Sequence, residues 1–361
     1  MRKAVNIVSK TSGLNAFQVA ATYIGTIVGA GFASGQEVLQ YFSAYGIHGI
    51  WAILLTSLLL FLFGFVVLAV GKAVQARSYV NVVQFTNGKL LGAVIDLVIT
   101  IFLFGALAIM FAGAGAIFDE QFHLSPLWGT LVMAVLSLLT VFTGIKGVIH
   151  AISYLVPLLL IAVLGIAIYS IFTSPITSDD LAYVKSLEGV APNWLVSSFN
   201  YASYNLVMAL PVLAPMGAEA TRRKTLFWGA FLGGVGLGVG ILAIYLSILT
   251  NIEVVGQVEI PMIRIALNIA PVIQILFVFV LLAAIYTTAI GNLYGFVSRI
   301  TIVPVQYQKW VIVITTIGAF CVSQVGFRVM VKYLYSAVGY VGFLFFAGLL
   351  YVWFFKRKEI Q

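Results

Sequence analysis

Charge is what this sequence has least of. Only 8% of its 361 residues are Asp, Glu, Lys or Arg, while 62% are apolar. A soluble domain carries roughly 25% charged residues, so the chain lacks the side chains to cover a water-facing surface. Cysteine occurs once, as Cys321 in a late apolar run, which excludes a disulfide framework and a thiolate metal site. His48, His123 and His150 stand far apart and have no metal-ligand spacing. Short alternating strands between turn signals are missing as well, which argues against a β-barrel. No low-complexity linker separates soluble domains, so residues 1–361 read as a single membrane domain.

What is present is a series of apolar runs long enough to span a bilayer. Charge and Gly/Pro punctuation places ten of them, at 14–44, 48–71, 90–118, 126–143, 148–172, 194–217, 225–250, 271–298, 309–324 and 329–355. The expected fold is therefore an all-α polytopic membrane protein. Its net charge of +8 does not point to nucleic acid, because the cations lie in short clusters between spans. With the N-terminus cytoplasmic, 15 of the 19 Lys and Arg fall on inner segments, from Arg2, Lys3 and Lys10 through Lys146 and Arg299 to Lys356, Arg357 and Lys358. Only Lys185, Arg264, Arg328 and Lys332 remain outside, as the positive-inside rule requires for an even number of spans with both termini inside. Met1-Arg2-Lys3 before an apolar stretch resembles a signal peptide, but the rest of the chain is itself a membrane bundle, so the first span is read as retained. Two outer loops exceed simple connectors: 173–193, with Asp179, Asp180 and Glu188, and 251–270, with Glu253, Glu259, Pro261 and Arg264. The first half of the second is a candidate to dip or to lie flat over a cavity mouth.

Gly25, Gly29, Gly31 and Gly35 crowd the middle of the first span, and Glu37 follows on the same run. Each glycine weakens a helix by about 1 kcal/mol relative to alanine. A straight helix of about 30 residues would reach about 45 Å, well beyond a core of about 30 Å. A break near the glycines is the economical reading, with small-residue helix packing through Gly25 and Gly29 as the alternative. The sixth span repeats the irregularity: Phe199-Asn200-Tyr201-Ala202-Ser203-Tyr204-Asn205 is polar at its centre, and Pro211 and Pro215 follow. These two spans open two halves, 14–172 and 194–355, each with an odd number of spans, so the halves form a five-plus-five inverted repeat with discontinuous helices 1 and 6. Paired interrupted helices of this kind mark a transporter site near the midplane.

These residues resemble the amino acid–polyamine–organocation superfamily with the leucine-transporter fold, and more closely the bacterial YkvI-type permeases. The resemblance covers the whole chain in topology and the first and eighth spans in residue detail. It implies a bacterial inner-membrane secondary transporter of a small neutral or zwitterionic solute, such as an amino acid, working by alternating access. It also implies a sodium site in which Gly25 and Val28 supply carbonyls and Ala284, Thr287 and Thr288 supply a carbonyl and hydroxyls. Threonine hydroxyls that only bond back to their own helix are the alternative. Ala30 and Gly31 then hold a solute carboxylate, with Phe32, Phe199, Asn200, Ser203 and Tyr204 around the solute. Phe32 stands where some relatives place the Asn of a second sodium site, and 151–172 contains no Lys of the kind proton-driven relatives use.

Three charged residues complete the candidates. Glu37 is expected near the outer end of the first span, as a gate partner for Lys332 or as a proton carrier. Asp96, inside the third span, is a candidate to pair with a basic inner-loop residue. Arg328 and Lys332 share one helical face. The glycine run 233–240 lacks the Lys-Ser/Thr ending of a phosphate loop and reads as close helix packing. A ligand receptor on the same scaffold and a proton-coupled transporter are the rival readings. No charged ring suggests a channel, and no nucleophile–base constellation suggests an enzyme.

Overall fold

The computed structural model describes residues 14–142, 155–220, 222–300, 307–356 and 359. Arg2, Lys3, Lys10, Lys146, His150, Arg357, Lys358 and the start of the expected fifth span lie outside them. Every regular element among the described residues is helical. Apolar composition decides where the helices lie, and local signals decide where they start. Asn15 and Ser78 close capping boxes ahead of α1 (Ala16–Ile27) and α5 (Tyr79–Phe122). Proline opens α6 (Pro126–Phe142), α12 (Pro261–Ile269) and α13 (Pro271–Arg299), where its missing N–H costs nothing.

The first span is three pieces: α1, α2 (Ala30–Ser34) and α3 (Gln36–Tyr41). After it come α4 (His48–Ala73), α5, α6 and α7 (Leu155–Thr173). The following loop holds the short α8 (Ser178–Val184) ahead of α9 (Trp194–Glu219) and α10 (Arg223–Leu249). The next holds α11 (Ile252–Val255) and α12. Then come α13, α14 (Gln308–Ser323) and α15 (Phe327–Phe355), whose residues Val331–Tyr335 form a π-helical turn. By length and composition, α4, α5, α10, α13 and α15 can each cross a membrane.

The core is built from helix pairs that approach closely. α9 packs along α4, α1 along α10 and α5 along α13. Two glycines hold the first pair together: Gly71 of α4 lies on the Ala214 carbonyl of α9, and Gly217 of α9 lies on the Leu68 carbonyl of α4. A Cβ at either place would land on backbone, which has no rotamer to escape into. The glycine run of α10 does the same, with Gly229 against Val19 and Gly233 against the Tyr23 ring of α1.

Two expectations are corrected. The third helix begins at Tyr79 rather than near residue 90, because Gly88 takes φ 75° and turns the chain within one 44-residue helical run. The sixth span is not discontinuous: α9 runs unbroken from Trp194 to Glu219 with Pro211 and Pro215 inside it. Proline's fixed φ suits a helix; what it removes is one N–H each, leaving the carbonyls four residues earlier, of Val207 and Pro211, without a helical donor. The polar centre does not unwind the helix either, because Asn200 Nδ2 donates to the Ser336 carbonyl and Ser203 Oγ to the Gly339 carbonyl of α15, both at 2.9 Å. Both halves of the 251–270 loop are helical, and Ile252, Val255, Met262 and Ile263 bury themselves against the bundle.

Candidate functional site

The break in the first helix is sharp. Val28 leaves α1 in an extended conformation (φ −73°, ψ 96°), and Gly29, also extended, precedes α2. The last helical bond of α1 runs from the Val28 N–H to the Ile24 carbonyl at 2.8 Å. Among the described residues no backbone N–H reaches the carbonyls of Gly25 or Val28, so both remain available as ligands.

A cavity of about 380 Å³ opens at this point. Residues 25–31 and Glu37 form one wall; Thr287, Thr288 and Asn292 of α13 form another; Tyr204, Asn205, Val207 and Pro211 of α9 and Phe102 of α5 close the rest, with Tyr335. It extends toward the face on which α1 begins, since its lining includes the last turn of α1, the latter half of α13 and Pro211 and Val212 of α9. On the other side it is capped by packed rings: Tyr41 on Tyr201 at 5.3 Å, Tyr201 on Tyr204 at 5.3 Å, and Tyr204 stacked on Tyr335 at 5.0 Å.

Glu37 sits beneath that cap. Gly35, at φ 80°, reorients the chain between α2 and α3, and the Glu37 side chain, 6% exposed, turns inward. Its Oε2 accepts a hydrogen bond from the Tyr204 hydroxyl at 2.5 Å. Its carboxyl also packs directly on Gly31, where any Cβ would overlap it.

The chain has a relative of nearly its own length. It is 31% identical over 343 residues to the uncharacterized membrane protein YkvI of Bacillus subtilis (strain 168), covering 93% of this chain and 95% of that one. The chain belongs to the YkvI family. No family model matches it. In fold, this YkvI-family member resembles MhsT solved in complex with L-phenylalanine, at a TM-score of 0.66 and 17% identity, over 95% of this chain and 90% of that one. It also resembles a Na+-coupled sialic acid symporter, at a TM-score of 0.64 and 14% identity, over 95% and 80%. The YkvI-family chain is thus a helical multi-pass membrane protein with the architecture of the leucine-transporter group.

Against this geometry the expected site residues divide. Gly25, Val28, Thr287 and Thr288 line one cavity, as do Ala30, Gly31 and Tyr204. Ala284 lies just behind, its carbonyl accepting both threonine hydroxyls at 2.9 Å. Phe32, Phe199, Asn200 and Ser203 are not in the lining. Phe32 packs toward Gly240, and Asn200 and Ser203 serve the seam with α15. Lys332 does not meet Glu37; its Nζ lies 3.2 Å from Glu188 Oε2 at the mouth of the opposite face, because Glu37 points to the interior. Asp96 does find a basic partner, Arg299 at the end of α13, 2.9 Å away. That guanidinium also bonds Thr100 at 2.9 Å and Tyr79, and it lies over the Tyr79 ring.

The sequence reading missed Asn292, Asn205, Phe102 and Tyr335. Asn292 was within reach: it stands four residues after Thr288 and so on the same helical face. Tyr335 had no local signal, because the π-helical turn that aims it is a tertiary feature.

Proposed function

We propose that this YkvI-family protein is a secondary active transporter, not an enzyme, that carries a small neutral or zwitterionic solute, an amino acid for preference, by alternating access. The observation that carries the reading is the broken first helix opening into a cavity shared with the α13 threonines. A break at membrane depth exposes backbone groups that need ligands, and a cavity is where such exposure is tolerated. The packing supports a five-plus-five repeat of ten spans in one membrane domain: the first helix lies along the seventh and the sixth along the second, the pairing that exchanging the halves predicts. We place the protein in the bacterial inner membrane with both termini cytoplasmic, on the distribution of its cations.

Sodium is the proposed coupling ion. Gly25 and Val28, whose carbonyls have no backbone donor among the described residues, line the same cavity as Thr287 and Thr288, whose hydroxyls donate to the Ala284 carbonyl. Five neutral oxygens suit a small hard monovalent cation. Uptake of labelled amino acids into proteoliposomes tests this, with an inward sodium gradient imposed against choline. Sodium should accelerate uptake, and Thr287→Ala with Thr288→Ala should remove about tenfold or more of that stimulation, the loss expected for two ligands. Uptake indifferent to sodium in both proteins would reject the site. Glu37 favours proton coupling as the second reading; stimulation by a pH gradient alone, abolished in Glu37→Gln, would establish it in place of sodium.

A further inference from the structure

Among the described residues Glu37 is a carboxyl group with no cationic partner. Among the described residues no Lys, Arg or His lines its cavity, and its hydrogen bonding comes from a phenol, that of Tyr204. A buried carboxylate without a compensating charge is expensive, so Glu37 ionises in this cavity only with a proton acceptor or a cationic ligand that arrives from outside. Glu37 also occupies the position that the resemblance reserves for a solute's carboxylate, since it packs on Gly31 at the break. Two carboxylates against one glycine would repel.

The far wall has the opposite need. Asn292 is 9% exposed and lines the cavity, and its Nδ2 has no hydrogen-bond partner among the described residues. A buried donor left unmade costs about 1–3 kcal/mol, which a ligand oxygen would recover. Between the two ends, the carbonyls that Pro211 and Pro215 leave without helical donors belong to Val207 and Pro211, both residues of the lining. Glu37 and these α9 carbonyls are acceptors, and the orphan side-chain donor lies on α13.

Resting on the reading of this cavity as the solute site, we propose that it takes a protonated primary amine, the ammonium on Glu37 and an oxygen of the solute on Asn292. This reverses the polarity expected from the sequence: the helix break faces the amino end of the solute rather than its carboxylate. Glu37 sets the solute's charge, and Asn292 sets its second functional group.

Thermal melts of the purified full-length protein test the assignment independently of transport. The probes are the protein amino acids, their carboxamides, their N-acetyl derivatives and short-chain primary amines. Compounds with a free ammonium should raise the melting temperature, and carboxamides should remain effective. N-acetylation, which removes the positive charge, should abolish the shift. Glu37→Gln should weaken amine binding about tenfold or more, the value of a charge-assisted hydrogen bond, and Asn292→Ala should weaken oxygen-bearing amines but not simple alkylamines. Lys332→Gln, away from the cavity, serves as the control. N-acetyl derivatives that bind like their parents, or no response to any amine, would overturn the proposal. The comparison of parent and acetylated compounds needs no variant, so it stands even if Glu37→Gln misfolds. Amine binding without uptake driven by either a sodium or a pH gradient would reject the transport reading and leave this one intact.

Discussion

At the residue scale, what decides the site is the direction of one side chain. Glu37 was visible in the sequence as an ionisable group in an apolar span, a functional candidate by default. Its partner was not, because Gly35 in the left-handed region rotates α3 relative to α2. A continuous helix would have carried Glu37 to the mouth, toward Lys332; the turned one carries it to Tyr204. Glu259, in the loop before α12, shows the same dependence on packing and allows a signed test. Burial raises its carboxyl above the ordinary value, while the Arg328 backbone N–H bonded to Oε2 at 2.7 Å and the Arg328 charge pull the other way. A folded-state value above the unfolded one means that the contribution to stability is fully present below the unfolded value and is lost as pH rises through the folded one. Glu259→Gln keeps an acceptor for Arg328 and removes the ionisation. Its melting temperature should exceed the parent's near pH 8, with the gap closing as pH falls into the carboxylate range. A gap that is constant with pH would count against the burial argument.

At the element scale, hydropathy alone located the long helices, since a membrane span needs only length and apolarity to be recognised, while the short α8, α11 and α12 lie in stretches that read as loops. Breaks were harder to read. Four glycines do interrupt the first helix, but two prolines and a polar centre do not interrupt the sixth, because cross-helix bonds to α15 satisfy what the sequence left polar. Proline is thus a weaker sign of a break than glycine in a packed bundle, where neighbours supply the missing partners. Small residues matter at the α4–α9 seam for a different reason. Gly217 rests on the Leu68 carbonyl, so Gly217→Leu must push two backbones apart. The expected destabilisation is about 3 kcal/mol, the upper end for overpacking, since no side chain can yield. Gly165→Leu, where a Cβ would meet nothing within 4 Å, should be tolerated. Detergent-solubilised yield and melting temperature, compared between the two, check this.

At the scale of the whole molecule, the cavity's asymmetry implies a state. Tyr41, Tyr201 and Tyr204 pack into a cap on one side, while the lining runs out past Met208, Pro211 and Val212 on the other. On the proposed orientation, with the start of α1 cytoplasmic, this would be the inward-facing arrangement of the proposed alternating-access cycle. The Lys332–Glu188 pair at the opposite mouth contributes little to holding it, because Glu188 is 87% exposed and such pairs are worth about 0–1 kcal/mol. The buried ring layer, rather than the ion pair, is what must come apart for the outer side to open. Met208→Cys in a Cys321→Ser background reports on this directly, since Cys321 is itself exposed. A membrane-impermeant thiol reagent should label position 208 in inside-out vesicles and fail in right-side-out ones. A solute that favours the outward-facing state should slow the labelling, because ligands move such equilibria only through their different affinities for the two states. Labelling only from the outside would reverse the orientation drawn from the cations. Equal labelling from both sides would mean that the tyrosine cap does not seal the site.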